Sequence, residues 1–139
     1  MKPNYWLVLS SLTLIAPAIV CHKTGDHGLK LMYILLTTVS SVYHATKNPY
    51  LVYLDYSCAQ LTNAYSLYII IKGGWASMPC YSLWLSYIMI VYYYGYINKS
   101  LIWNPDLDAA TPWHISLHLS SSISGCYTVW ATFNHLRKA

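Results

Sequence analysis

His44 and Asp55 flank the turn between two apolar stretches, and His114 and His118 stand i,i+4 at the start of the last stretch. Ser40 lies one helical turn before His44. The chain has only four acidic residues, none of them glutamate, and one belongs to this set. Ionisable side chains at membrane depth are expensive and by default mark a functional site. Three imidazoles beside a carboxylate suit a metal. Neutral imidazole is a zinc ligand, and three protein ligands plus water form the open, catalytic arrangement. Zinc brings its water to a pKa of about 7. A nearby dication also keeps a carboxylate ionised where an apolar site would protonate it. On this reading Asp55 accepts a proton and returns it to a leaving group. Ser40 orients Asp55 or donates a hydrogen bond to a developing oxyanion.

The elements that must position these residues follow from composition. Hydrophobic residues make up 56% of the 139 and charged residues 9%, against roughly 25% charged in soluble domains. Fifteen Tyr and six Trp fit a protein that places aromatic rings at two membrane interfaces. Five apolar stretches emerge, at residues 5–21, 29–45, 50–71, 75–97 and 112–133, each close to the ~20 residues that cross a hydrocarbon core. The polar turn from His22 to His27 separates the first two, and Lys47-Asn48-Pro49 ends the second. Lys72-Gly73-Gly74 ends the third, and a longer loop from Asn98 to Thr111 precedes the fifth. Pro79 sits in the first turns of the fourth, and Pro112 opens the fifth, both positions where a missing N–H costs little. Lipid offers the backbone no hydrogen-bond partners, so the spans must be helices. The expected fold is an all-α integral membrane protein, a single domain over residues 1–139 built as a bundle of about five transmembrane helices. Lys2, the apolar run after it and Ala16-Pro17-Ala18 would also fit a cleaved signal peptide, which would leave four spans.

Five spans alternate between two faces, and parity then becomes informative. On the face that holds the N-terminus, the near face, the second span ends and the third and fifth begin. Ser40, His44, Asp55, His114 and His118 therefore share one side and similar depth, Asp55 lying only about 8 Å inside its span. Residues four apart share a helix face, which stacks Ser40 under His44 and His114 under His118.

Bland readings exist for each residue. The histidine pair could face interfacial water, and Asp55 could cap a helix or pair with Lys47. His22, His27 and His135 read as solvated, and Asp106 and Asp108 as loop acids. The serines at 116, 120, 121, 122 and 124 read as small residues for close helix packing, and Tyr92-Tyr93-Tyr94 as interface belt. Cys21, Cys58, Cys80 and Cys126 form no CxxC pair and read as small buried hydrophobes. The net charge of +4 is scattered, without a basic run, which excludes nucleic acid as a partner.

The ordered pattern Ser40-x3-His44, Asp55, His114-x3-His118 resembles the CREST superfamily of membrane hydrolases. That group comprises alkaline ceramidases, adiponectin and progestin receptors, and GPI-remodelling lipases. Local sequence is similar too: SSVYHAT, then YLDYSCAQ, and WHISLH opening the final span. The resemblance covers spans two, three and five. It implies zinc on His44, His114 and His118, Asp55 on the reacting water, and Ser40 beside them. It implies hydrolysis of an amide or ester in a lipid arriving from the bilayer, with ceramide-like amides first. The family core has seven spans and this chain five. The loss falls between the aspartate and the HxxxH, which preserves the parity and suggests a homo-oligomer that completes the cavity. A non-catalytic receptor or membrane-remodelling protein with structural zinc, and a metal-free assembly protein, are the alternatives.

Lys and Arg number three on the near face (Lys2, Lys47, Lys99) and five on the far face (Lys23, Lys30, Lys72, Arg137, Lys138), which places the far face in the cytosol. The metal site and the sequon Asn98-Lys99-Ser100 would then face the lumen or exterior.

Overall fold

The computed structural model describes residues 4–73 and 75–137; Lys2, Gly74 and Lys138, which entered the turn and charge readings, lie outside them. Asn4 starts the first rod, its side-chain oxygen accepting the Leu7 N–H at 3.2 Å to cap α1 (Tyr5–Leu12). Pro17 then interrupts the ladder. It has no N–H to give the Thr13 carbonyl four residues back, and the rod breaks before resuming as α2 (Ile15–Thr24). That carbonyl accepts the Ala16 N–H at 3.0 Å instead, together with the hydroxyl of Ser122 from the last helix.

Gly25 ends α2 at φ 84°, a left-handed conformation glycine adopts without strain. The Asp26 carboxylate next accepts the Leu29 N–H at 2.9 Å and caps α3 (His27–Thr46). The expected polar turn from His22 to His27 thus shrinks to Gly25 and Asp26, with both histidines helical and exposed. Lys47, left-handed at φ 54°, closes α3, and Pro49 opens α4 (Pro49–Gly73). A 3-10 turn at Trp75–Ser77 leads into α5 (Met78–Ile88). That rod continues through a π-helical stretch, Met89–Tyr94, into α6 (Gly95–Asn98). After a 3-10 turn at Leu101–Trp103 comes α7 (Leu107–Leu136).

The last helix corrects two expectations. It starts at Leu107, so Pro112 lies inside it and removes the bond to the Asp108 carbonyl. Asp106 is its N-cap, accepting the Asp108 N–H at 3.0 Å, and Asp108 occupies the first turn. Both acids favour the positive end of the helix dipole, so neither is an idle loop residue.

The described residues are all-helical, with no strand among them, and form five rods: α1 with α2, α3, α4, α5 through α6, and α7. Against the five membrane spans expected, only the rod Tyr5–Thr24 among the described residues is long and apolar enough to cross a membrane; the other rods carry more Ser, Thr, Tyr, Asn and His. α3 packs on α1, α2 and α4, while α7 packs on α1, α2, α4 and α5. Asn4 ties one end of the bundle together. Its Nδ2 donates to Thr111 Oγ1 at 2.9 Å and its backbone N–H to the His44 carbonyl at 3.4 Å. The start of α1, the end of α3 and the start of α7 therefore lie side by side.

The interior is rich in small polar side chains, among them Ser10, Ser11, Ser40, Thr62, Ser122, Ser124 and Thr132, while Trp6, Leu83 and Ile123 are at least 70% exposed. Small residues let helix backbones approach closely, and Gly125 is the tightest case. A Cβ there would collide with the Tyr33 hydroxyl and stand 2.9 Å from Pro17 Cγ. Gly125→Val is expected to destabilise the detergent-solubilised protein by about 1–3 kcal/mol, read as a lower thermal midpoint. An unchanged midpoint would contradict the α2–α3–α7 packing described.

Candidate metal centre

His44 lies in the last turn of α3, and His114 and His118 on successive turns of α7. Because the end of α3 meets the start of α7, the three rings converge. One donor nitrogen from each lies within 4.8 Å of the other two. Ring centroids are 4.8 Å apart for His44 and His114, 5.4 Å for His44 and His118, and 5.0 Å for His114 and His118.

His44 is 1% exposed, and neither of its ring nitrogens has a hydrogen-bond partner. Leaving one buried polar atom unpaired costs about 1–3 kcal/mol, so an imidazole with two such atoms is arranged for a group the chain does not supply. Zinc–nitrogen bonds of about 2.0–2.1 Å put tetrahedral ligand atoms about 3.3 Å apart. Side-chain adjustments on the order of an ångström close the three rings to that spacing. The donor set is nitrogen only, and Cys21, Cys58, Cys80 and Cys126 are free thiols outside it. These residues fit a zinc ion.

The first rod, to which sequence reading assigned no role in the site, orients His118. Ser10 Oγ lies 2.8 Å from His118 Nδ1 and 3.1 Å from the Leu7 carbonyl. With its single proton on Leu7, the Ser10 oxygen accepts the Nδ1–H, which leaves the Nε2 lone pair free for an ion. Ser11 stands 3.5 Å from the same Nδ1 and 3.2 Å from Ser40 Oγ. Span parity could have found both serines, since they lie as far inside the first span as Asp55 lies inside the third.

Ser40 is buried, bonds to Ser11 and faces the Asp55 carboxyl. Asp55 itself is half-buried and outside the group of atoms close enough to share an ion. It lines the same cavity as the histidines. No Asp55–Lys47 ion pair occurs among the described residues. The Lys47 ammonium instead stands over the Tyr43 ring, 5.5 Å from its centroid, and burial pushes its pKa down.

The cavity has a volume of about 1480 Å³ and lies between α3, α4, α5 and α7. It follows α7 from Asp108 past the histidines to Thr128; from His114 to Thr128 the helix rises about 21 Å. α4 and α5 meet through the turn at Trp75–Ser77 and through the Tyr81 hydroxyl, which donates to the Asn63 carbonyl at 3.2 Å, and the space between them belongs to the cavity. Tyr92, expected in an interface belt, is instead a wall. It stacks on Tyr56 at 5.9 Å and meets Trp103 edge-on at 5.3 Å, while Tyr93 and Tyr94 stay exposed. The π-helical stretch that carries it is a geometry frequent at functional sites.

Comparison with protein-family profiles, curated proteins and solved structures returns no match. Purified protein is expected to carry about one zinc per chain, and the His114→Ala/His118→Ala double variant none, by elemental analysis. Ser10→Ala should keep the ligands and weaken zinc affinity by about 10–100-fold in chelator competition. Equally little zinc in wild type and double variant would sink the site.

Proposed function

We propose that this chain is a multi-pass membrane protein that holds zinc on His44, His114 and His118 and hydrolyses an amide or ester bond of a bilayer lipid, with ceramide-like amides first. The observation that carries the reading is His44: a fully buried imidazole, unpartnered at both nitrogens, beside two further imidazoles in the wall of a long cavity. The membrane part rests on the inverted distribution of polarity. Large apolar and aromatic side chains cover the outside of the rods, while many small polar ones sit inside among the buried apolar residues. In water such a surface would aggregate, whereas in lipid it is ordinary.

Bound zinc supplies Lewis acidity toward a carbonyl oxygen and an ionised water at neutral pH. The chain's own residues do the rest. His44, His114 and His118 hold the ion, and Ser10 fixes which nitrogen His118 presents. Asp55, across the cavity, takes a proton on its carboxylate and returns it to the departing amine or alkoxide. Ser40 positions that carboxylate from below. The space between α4 and α5, bounded by the Tyr81–Asn63 hydrogen bond and the Tyr56–Tyr92 stack, gives a lipid chain a lateral way in from the bilayer. The apolar wall of Leu36, Val52, Leu85 and Ile88 excludes water from the bond being cut.

Turnover of a panel of lipid amides and esters by the zinc-loaded protein tests the reaction. Asp55→Asn is expected to lower kcat by about 10²-fold or more while zinc content stays the same. Zinc bound without turnover of any substrate would favour the receptor or membrane-remodelling reading. Orientation has its own test. In a eukaryotic secretory membrane Asn98, the exposed last residue of the α5–α6 rod, should acquire glycan, and labelling of position 98 from the cytosol would reverse the topology.

A further inference from the structure

The far end of the cavity is polar, and the hydrolytic reading leaves that polarity unused. Most helical Ser and Thr hydroxyls in this chain return their proton to a carbonyl one turn back, as Thr37, Thr62, Ser66 and Thr111 do at 2.7–2.8 Å. Thr128 does not. It is 2% exposed, its Oγ1 has no hydrogen-bond partner, and it lines the cavity. Trp84 Nε1 on α5, in the same cavity wall, is likewise buried and unpartnered. Tyr33 and Ser66 line that end too, the Tyr33 hydroxyl facing Ser66 and pressing on Gly125, one turn from Thr128. α3, α4 and α7 thus meet at this end, the cavity floor, and α5 joins them through Tyr81, whose hydroxyl donates to the Asn63 carbonyl at 3.2 Å and whose ring lies 5.5 Å from that of Trp84.

From His118 to Thr128 the helix rises about 15 Å. A plain hydrocarbon chain reaching this floor would leave an indole N–H and a hydroxyl dry and unpaired, which is costly. An oxygen on the chain at that depth pairs with either group, because the indole is a donor only and the threonine hydroxyl can donate or accept. We infer that the floor formed by Thr128 and Trp84, with Tyr33 and Ser66, is a second polar subsite that selects lipids whose hydrocarbon chain bears a hydroxyl or keto oxygen far from the bond at the histidines. The inference builds on the lipid reading of the site and names the substrate class. The subsite requires neither zinc nor turnover.

Binding therefore tests it independently. Free fatty acids of one chain length, either plain or with a single hydroxyl at successive positions, are competed against a fluorescent fatty acid on the full-length, detergent-purified protein. The same series is run on the His114→Ala/His118→Ala variant, so that loss of hydrolysis and loss of the subsite remain distinguishable. One range of hydroxyl positions far from the carboxyl is expected to bind about tenfold more tightly than the plain acid. Thr128→Val and Trp84→Phe should each remove that preference while leaving the plain acid's affinity unchanged. Equal affinity of wild type for plain and hydroxylated acids, whatever the hydroxyl position, would overturn the inference even if neither variant folds. A preference that survives both substitutions would overturn it as well, and would leave the floor as a pocket for water.

Discussion

Burying imidazole between helices is the constraint on which the rest of this structure depends. Two nitrogens per ring must be satisfied where aliphatic side chains cannot do it, and each failure costs about 1–3 kcal/mol. The chain answers this differently at each ring. His118 is held by Ser10 at 2.8 Å, whereas His44 has no partner at either nitrogen. His114 completes the group from the helix turn before His118. An ion that accepts one lone pair from each ring offsets the burial, and the proposed zinc therefore has a stabilising role before any catalytic one. The same requirement explains the tie at Asn4, which holds together the end of α3 and the start of α7.

Small polar side chains share the interior with apolar ones such as Leu29, Ile70 and Val91, while large apolar side chains also cover the outside. Hydroxyls at Ser10, Ser11, Ser40, Thr62 and Ser122 each find a neighbour's carbonyl or hydroxyl, and their small size lets the rods approach. Pro17 is part of the same economy of hydrogen bonds. By withholding an N–H it frees the Thr13 carbonyl for Ser122, so a break in the first rod becomes a link to the last. Of the buried atoms left unpaired, those of His44, Thr128 and Trp84 belong to residues that line the cavity, and only Ser41 Oγ among the described residues lies apart from it.

Much of this was legible from residue spacing. The i,i+4 histidines, the position of His44 and the alternation of spans put three imidazoles at one end of a helical bundle, because parity and 3.6-residue periodicity are properties of sequence order alone. The rods fall close to the expected stretches, and His22, His27 and His135 are exposed as their loop or end positions implied. The boundary of α7 was not legible, because Pro112 resembles a helix start and the cap at Asp106 lies in a segment too polar to read as a span. Tyr92 reads with Tyr93 and Tyr94 as one run, and its packing against Tyr56 and Trp103 depends on tertiary contacts that a run of three tyrosines does not encode. Ser10 and Ser11 carry no chemical signature of their own. Parity puts them at the depth of the site, but their contact with His118 follows from which face of α1 packs against α7.

The central claim is that three nitrogen ligands from two helices hold zinc, with no thiolate among them. X-ray absorption at the zinc edge of the purified protein reads this directly. The account predicts a first shell of nitrogen and oxygen scatterers at about 2.0–2.1 Å with the outer-shell pattern of three imidazoles. A sulfur scatterer at about 2.3 Å, or a spectrum unchanged when His44 is replaced by alanine, would contradict it.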